Sequence, residues 1–423
     1  MREQIRNTCL LWVIYMRAVL KWLSVSLLTG ALCGAIGSAF HIGVEYAAEL
    51  RAVHAWLLWL LPLLGLVIVA LYKALGTEGV STDNILEEVH SGRGLSRALL
   101  PAIFFSTLLT HLGGGSVGRE GAALQMGGAI GFQAGRLFRL DESDKRTATT
   151  VGMAAFFSAL FGTPMAATVF AMAITNVGRV YYSELFPCIV AALFAYGVSL
   201  LFGVEPTAFS VEAPPLAPGM LLRVGILAVF CAMLSVVFCG VIHAAEHAAS
   251  KRVKNPWLRA ALGGAAIVAL TLLLGTTDYN GAGMGVIARA IEQERAVPWA
   301  FACKLIFTAI TLAAGFKGGE VVPSFFVGAT FGCVIGPLLH IPAGFAASVG
   351  LVAVFCGAVN CPLASTFLAI ELFGAKGMPY YGLACAISFA LSGYSGLYSS
   401  QRILYDKLKA QFINAQTNAY RQQ

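Results

Sequence analysis

Charge is the scarcest ingredient of this 423-residue chain: Asp, Glu, Lys and Arg together make up 12% of it, about half the roughly 25% usual in soluble domains. That shortage excludes an ordinary soluble protein, because 58% of the residues are hydrophobic and the mean hydropathy is +0.77. Patterns for catalysis are missing as well. There is no HExxH or CxxC, no GxxxxGK[ST] after a strand signal, and no nucleophile elbow or Ser/His/Asp order. The sequence therefore gives no support to an enzyme, a metal site or a cofactor. The ten cysteines lie mostly within apolar runs, as Cys231, Cys239, Cys356 and Cys361 do, and read as small hydrophobes. The opening MREQIRNTCLLWVIYMRAVLKW lacks a small-residue cleavage site and is interrupted by Arg17 and Lys21. A retained, partly amphipathic first helix is expected rather than a removable signal peptide.

Long apolar stretches are what the chain does have. They lie near residues 8–48, 54–75, 97–112, 147–175, 183–203, 219–243, 257–275 and 347–373, each suited to one or more spans of roughly 17 to 25 residues. The expected class is an all-α polytopic membrane protein. The formal charge of +7 could point to nucleic acid, but the basic residues sit in short connections and tails: Arg2 and Arg6, Lys145 and Arg146, Lys251, Arg252 and Lys254, then Arg402, Lys407 and Lys409. That placement follows the positive-inside rule and puts both termini in the cytoplasm, with no nucleic-acid partner.

The chain also repeats itself at a spacing of about 200 residues. FSALFGTPMAATVFAMA (157–173) resembles FCGAVNCPLASTFLAIE (355–371), pairing Phe157 with Phe355, Pro164 with Pro362, Ala166 with Ala364 and Thr168 with Thr366. GGSVGREGAALQMGGA (114–129) lies 200 positions before AGFKGGEVVPSFFVGA (314–329), which sets Glu120 opposite Glu320, Gly118 opposite Gly318 and Gly128 opposite Gly328. The expected organisation is a first half at 1–205, a connector at 206–218 rich in proline and acids, a second half at 219–405 and a short cytoplasmic tail at 406–423.

Each half thus carries a helix interrupted by glycines next to an acid. Such paired interruptions point to transporters, since half-helix N-termini converging at mid-membrane offer unpaired N–H donors to an anion. Close packing by Gly and Ala alone is the plainer reading, but it leaves the two glutamates unexplained. A carboxylate within the bilayer is costly and by default functional. Glu120 could be held ionised by the N–H groups or take a proton when an anion occupies them. Arg119 could pair with a carboxylate or point to the aqueous end of its segment. Glu371 reads as a satisfied packing residue bonded to a neighbouring loop. His243 and His247, at i, i+4 spacing, read as capping or interfacial residues, and GTTDYNGAGMGVIARAI (275–291) as a loop between membrane segments.

At this point the sequence resembles the CLC anion channels and transporters. GREG (118–121) is similar to the segment bearing that family's gating glutamate, GGEVVP (318–323) to the matching second-half segment, and GLYSSQ (396–401) places Tyr398 where the family has its anion-coordinating tyrosine. The resemblance covers about residues 20 to 405. It implies the CLC fold, with two inverted-topology repeats and broken, re-entrant helices around a central anion pathway, and a homodimer with one pathway per subunit. The departures carry further implications. Where chloride-handling members have GSGIP, this chain reads GVSTD (79–83) with Val80 at the serine's place, and where exchangers have an internal glutamate it offers Ala173 and Ile174. Glu320 stands at a position that is apolar in the chloride proteins.

This combination resembles the bacterial fluoride-exporting branch and implies a fluoride/proton antiporter of the bacterial inner membrane. In that reading Glu120 couples fluoride export to inward proton movement, and chloride is at most a weak substrate. Fluoride is a small, strongly hydrated acceptor that needs short, well-aimed donors. The implied ones are backbone N–H groups of residues 118–121 (Gly118, Arg119, Glu120, Gly121) and 319–322 (Gly319, Glu320, Val321, Val322), the Tyr398 hydroxyl and protonated Glu120. Val80 donates nothing, and either penalises larger anions by shape or leaves room for Glu120 to move. Glu320 either passes the proton to and from Glu120 or steadies its rotated side chain. The branch carries a threonine two residues beyond its glutamate, where this chain has Val322, so a hydroxyl route there does not transfer. Two rival classes stay open: a CLC chloride channel or chloride/proton exchanger, and a non-transporting sensor or scaffold. The span after residue 405 is too short for appended cytoplasmic regulatory domains.

Overall fold

The computed structural model describes residues 2–91, 94–409 and 411–418. The side chains of Arg2 and Arg6, counted above among the basic ends, and residues 410 and 419–423 of the expected tail lie outside the described residues. Among the described residues there are sixteen α-helices, and they fall into two series of eight. The first is α1 (Arg2–Val53), α2 (Leu61–Ala74), α3 (Thr82–Ser91), α4 (Leu99–Gly113), α5 (Glu120–Leu137), α6 (Glu142–Phe161), α7 (Pro164–Ala173) and α8 (Leu185–Leu201). The second is α9 (Pro218–Arg252), α10 (Pro256–Leu274), α11 (Met284–Glu292), α12 (Ala300–Ala313), α13 (Val321–Ile335), α14 (Ala343–Val359), α15 (Pro362–Phe373) and α16 (Met378–Leu391). The packing repeats with the order. α5 lies on α6 as α13 lies on α14, α1 on α8 as α9 on α16, and the halves join through α2 with α10, α7 with α15 and α5 with α13.

The same local chemistry ends corresponding helices. α4 stops at Gly114 (φ 86°), and the chain after α12 turns at Gly315 (φ 94°), both left-handed positions that glycine adopts without strain. The apolar runs read as 147–175 and 347–373 are each two helices. Gly162 and Asn360 take left-handed caps, and Pro164 and Pro362 open the next helix at its first position, where a missing N–H costs nothing. Hydropathy alone did not separate them, and it passed over α11, α12 and α13, whose apolar stretches are short or glycine-broken. Among the described residues five helical segments are long and apolar enough to cross a bilayer, and α4, α7, α12, α13, α14 and α15 are shorter apolar ones. The molecule is therefore a multi-pass membrane protein with broken helices.

The repeat register differs by one residue from the sequence alignment around the glycine-rich segments. An added Cβ at Gly127 or Gly131 would overlap the carbonyl of Gly152 or Ala148, and one at Gly328 or Gly332 would overlap that of Gly350 or Ala346. These close seams make Gly127 the mate of Gly328, at 328 − 127 = 201 positions. Arg119 caps the start of α5 and Glu320 the start of α13, so Glu320 stands where Arg119 does and Glu120 corresponds to Val321. The two acids are not symmetry mates. Glycine and small residues recur densely enough in both segments that a shift of one residue matches almost as many identities.

Residues 401–409 and 411–418 fold back on the helices. β1 (Asn176–Val177) pairs in parallel with β2 (Arg402–Tyr405), which pairs antiparallel with β3 (Phe412–Gln416). The connector also lies on the bundle, with Thr207 N–H donating to the Phe161 carbonyl at 2.9 Å and Phe209 N–H to that of Leu372 at 2.9 Å.

Candidate functional site

The two broken helices begin against each other. Gly118 N–H donates to the Gly319 carbonyl at 2.7 Å and Gly319 N–H to the Gly118 carbonyl at 2.9 Å, an antiparallel bridge across the two halves. Side chains would prevent it: an added Cβ at Gly121 would stand 3.0 Å from the Gly318 carbonyl, and one at Gly319 would press on the Gly121 and Glu120 amides. The N-termini of α5 and α13 therefore present their unpaired amides and positive dipole ends to one small volume. The bridge also corrects the donor set expected from sequence. Gly118 and Gly319 spend their N–H groups on each other, which leaves those of Arg119, Glu120 and Gly121 on one side and Glu320, Val321 and Val322 on the other.

Glu120 fills that volume. It is 0% exposed, and its Oε2 accepts a hydrogen bond of 3.2 Å from Val322 N–H, while Oε1 is buried with no partner. The amides of Arg119 and of Glu120 itself act on the same carboxylate. A carboxylate from the first half thus sits between the amides of its own helix tip and the Val322 amide of the second half, where a small anion would find the same donors.

Tyr398 lies beyond it, 2% exposed, with a hydroxyl buried and unpartnered and with Glu120, Glu320 and Asp83 in electrostatic range. Its loop is held by the Thr417 hydroxyl donating to its carbonyl at 2.5 Å, and by Gln401, whose amide nitrogen donates 2.8 Å bonds to the Ile174 and Val359 carbonyls. Asp83 Oδ1 accepts from Ser400 N–H at 2.9 Å and from its hydroxyl at 2.7 Å. Glu320 is partly buried, with Oε2 enclosed and unpartnered and with Glu246, Asp83 and Glu120 as its electrostatic neighbours.

Val80 meets the region through its carbonyl, which accepts from Lys317 Nζ at 3.4 Å. Two residues on, the Thr82 hydroxyl, bonded by Gln125 Nε2 at 3.0 Å, would stand 3.2 Å from a Cβ at Gly121. The sequence reading fixed on Val80 and passed over Thr82, Asp83 and Lys317.

On the other side of Glu120 a cavity of about 330 Å³ opens, lined by Arg51, His111, Arg119, Glu120 and Arg289 among others. Arg119 does both things weighed above: it faces this cavity and pairs with Glu45 at 3.8 Å. The 275–283 segment forms a wall. Asn280 Nδ2 donates to the Gly114 carbonyl at 2.8 Å, and buried Lys304 donates to the Gly281 carbonyl at 2.6 Å. Polar residues inside apolar helices, such as Lys304, were a signal available in the sequence.

The remaining candidates are structural. Glu371 accepts from Met165 and Ala166 N–H at 2.9 and 2.8 Å, satisfying the first turn of α7 from across the interface between halves. His243 Nε2 bonds the Gly396 carbonyl at 3.0 Å and steadies the Tyr398 loop.

Comparison with known proteins bears on this geometry. The family model for voltage gated chloride channels matches residues 64–393. A chloride/fluoride channel protein of Pseudomonas syringae pv. tomato is 35% identical over 398 residues, 92% of this chain and 88% of the relative. An H(+)/Cl(−) exchange transporter of Vibrio campbellii is 26% identical over 387 residues, covering 83% and 81%. Among solved structures, a CLC-type fluoride/proton antiporter superposes with a TM-score of 0.86 at 30% identity, covering 90% of this chain and 97% of that one.

Proposed function

The chain belongs to the voltage-gated chloride channel, or CLC, family, and from that premise we propose that it is a fluoride/proton antiporter in which Glu120 carries the proton. The family membership makes it a membrane anion transporter. The fluoride preference draws support from the names of the 35% identical relative and the 30% identical structure. The observation that carries the reading is the Glu120 carboxylate resting on the Val322 amide at the tip of the opposite broken helix.

Ionised, Glu120 competes with an anion for the same N–H donors and closes the path. Protonated, it has less hold on those amides and swings toward the 330 Å³ cavity, and its O–H becomes a donor for fluoride. Fluoride entering the vacated seat takes the Val322 amide and the Tyr398 hydroxyl, whose donor is otherwise unspent. Alternation of the two moves fluoride out and a proton in. Glu320, at the tip of α13 and within electrostatic range of Glu120, serves as the proton's station on the far side. The proposed setting is the inner membrane of a bacterium, as a homodimer in the lipid bilayer with fluoride and protons as its ligands.

The test is ion flux from proteoliposomes, recording fluoride, chloride and pH together. Fluoride efflux drives proton uptake in the wild type, Glu120→Gln abolishes that uptake, and Glu320→Gln slows exchange without unfolding the protein. Proton uptake that continues unchanged in Glu120→Gln refutes the role of Glu120. Robust chloride flux with weak fluoride flux turns the assignment to a chloride exchanger or channel.

A further inference from the structure

A second cavity lies on the opposite side of the Gly118–Gly319 bridge from the first. It measures about 350 Å³ and opens between α2, the start of α10 and the turn after α12. Its wall brings together Lys254, Arg259 and Lys317 against the single carboxylate of Glu78, over an apolar floor that includes Ile68 and Tyr72. Three cations converging on one pocket repel one another and are costly to hold together at the membrane. Arg259 Nε is buried and donates to nothing among the described residues, so one arm of its guanidinium is left unspent. Lys317 stands with its ammonium 4.4 Å over the Tyr72 ring and donates a long 3.4 Å bond to the Val80 carbonyl. Lys251 and Arg252 in the last turn of α9 precede Lys254 in the chain, a basic run that by the positive-inside rule places this mouth on the cytoplasmic side.

We propose that this cavity binds a phosphate group from the cytoplasmic side, as a lipid headgroup or as free inorganic phosphate, and that Lys317 reports its occupancy to the ion pathway. A guanidinium fork matches phosphate oxygens in pairs, and two ammonium groups supply the remaining charge. A volume of this size suits one such group, and basic pockets between membrane helices on the cytoplasmic side suit anionic headgroups. The coupling follows from connectivity. Lys317 lies three residues before Glu320, and its Nζ, donating to the Val80 carbonyl, holds the loop that bears Val80. A phosphate that draws Lys317 toward Arg259 releases the Val80 carbonyl and neutralises charge that would attract fluoride to this mouth. Occupancy therefore slows efflux.

The experiment uses the full chain in phosphatidylcholine vesicles with two separate additions, phosphatidic acid in the bilayer or inorganic phosphate inside. Thermal unfolding reads binding, independently of any transport, and fluoride efflux reads its effect. The expected result is a raised melting temperature and efflux slowed about threefold or more by one of the two additions. Both responses should be lost in Lys254→Gln/Arg259→Gln, each addition being compared with that variant's own efflux in pure phosphatidylcholine. A response to phosphatidic acid alone assigns a headgroup, and a response to phosphate alone assigns a free anion. No melting shift from either addition, or an equal shift in the double variant, overturns the site. A shift with unchanged efflux overturns the coupling through Lys317.

Discussion

Gly118→Ala tests whether carboxylate and anion share one seat. A methyl on this residue would overlap Glu120 Oε2 as it now rests and would stand 3.1 Å from Val322 Cβ. The obstacle is the far end of a movable side chain, and Gly118 is not among the residues with positive φ, so alanine keeps the backbone and the bridge to Gly319. What is lost is the volume next to the Val322 amide. Glu120 leaves for the outer cavity, and an anion centred on the same point is excluded too. The hydrogen bond at stake is charge-assisted and contributes about 1.5–3 kcal/mol, a factor of roughly 10 to 150 in occupancy. Fluoride efflux from proteoliposomes should fall by that factor and proton uptake with it. Glu120→Ala is the contrast: it empties the seat without filling it, so fluoride continues to move while proton uptake stops. Gly118→Ala protein that is monodisperse and carries fluoride at the wild-type rate would refute the shared seat.

Three other perturbations probe separate parts of the molecule. Tyr398→Phe removes a hydroxyl that has no protein partner; its melting temperature should hold while apparent fluoride affinity falls roughly tenfold or more, the loss of one hydrogen bond to a charged group, and unchanged affinity would exclude Tyr398 as a donor. Glu371→Ala strands the Met165 and Ala166 amides at the start of α7, a cost of about 1–3 kcal/mol for the Ala166 donor and less for the exposed Met165 one, seen as a lower unfolding temperature in detergent; equal stability would mean that water replaces the carboxylate. Lys407, in the turn after β2, donates to Asn360 Oδ1 and Ser392 Oγ, and burial brings its pKa down to about 8. The folded state then binds fewer protons than the unfolded one between pH 8 and its ordinary value of 10.5. Stability should rise with pH across that window, and Lys407→Met should flatten the rise.

The class and the glycine-broken segments were legible because hydropathy, proline and left-handed caps act locally. GTP at 162–164 and NCP at 360–362 spell out a helix stop and restart within three residues, and Glu120 announced itself as an acid among apolar neighbours. What stayed hidden depends on pieces far apart in the chain. That Gly118 and Gly319 consume each other's amides follows only once two tips 201 positions apart are brought together. Thr82, Asp83 and Lys317 are unremarkable polar residues until the fold lays them beside Gly121, Ser400 and Val80. The equivalence of Glu120 with Glu320 failed for a related reason: identity scores tolerate a shift of one residue, whereas carbonyls packed against glycine do not.

The seams of α5 on α6 and α13 on α14, where backbone rests on backbone without an intervening side chain, have a bearing on how work is done here. Surfaces fitted that closely resist sliding and rolling, so within each half the broken helix is fixed to its neighbour. In the proposed mechanism the carboxylate at position 120 is then the main part that moves, like a latch in a door frame. A device of that kind has little mass to move and no large interface to re-lubricate at each turn, and it should keep its pace in bilayers whose thickness would jam a protein that rocks.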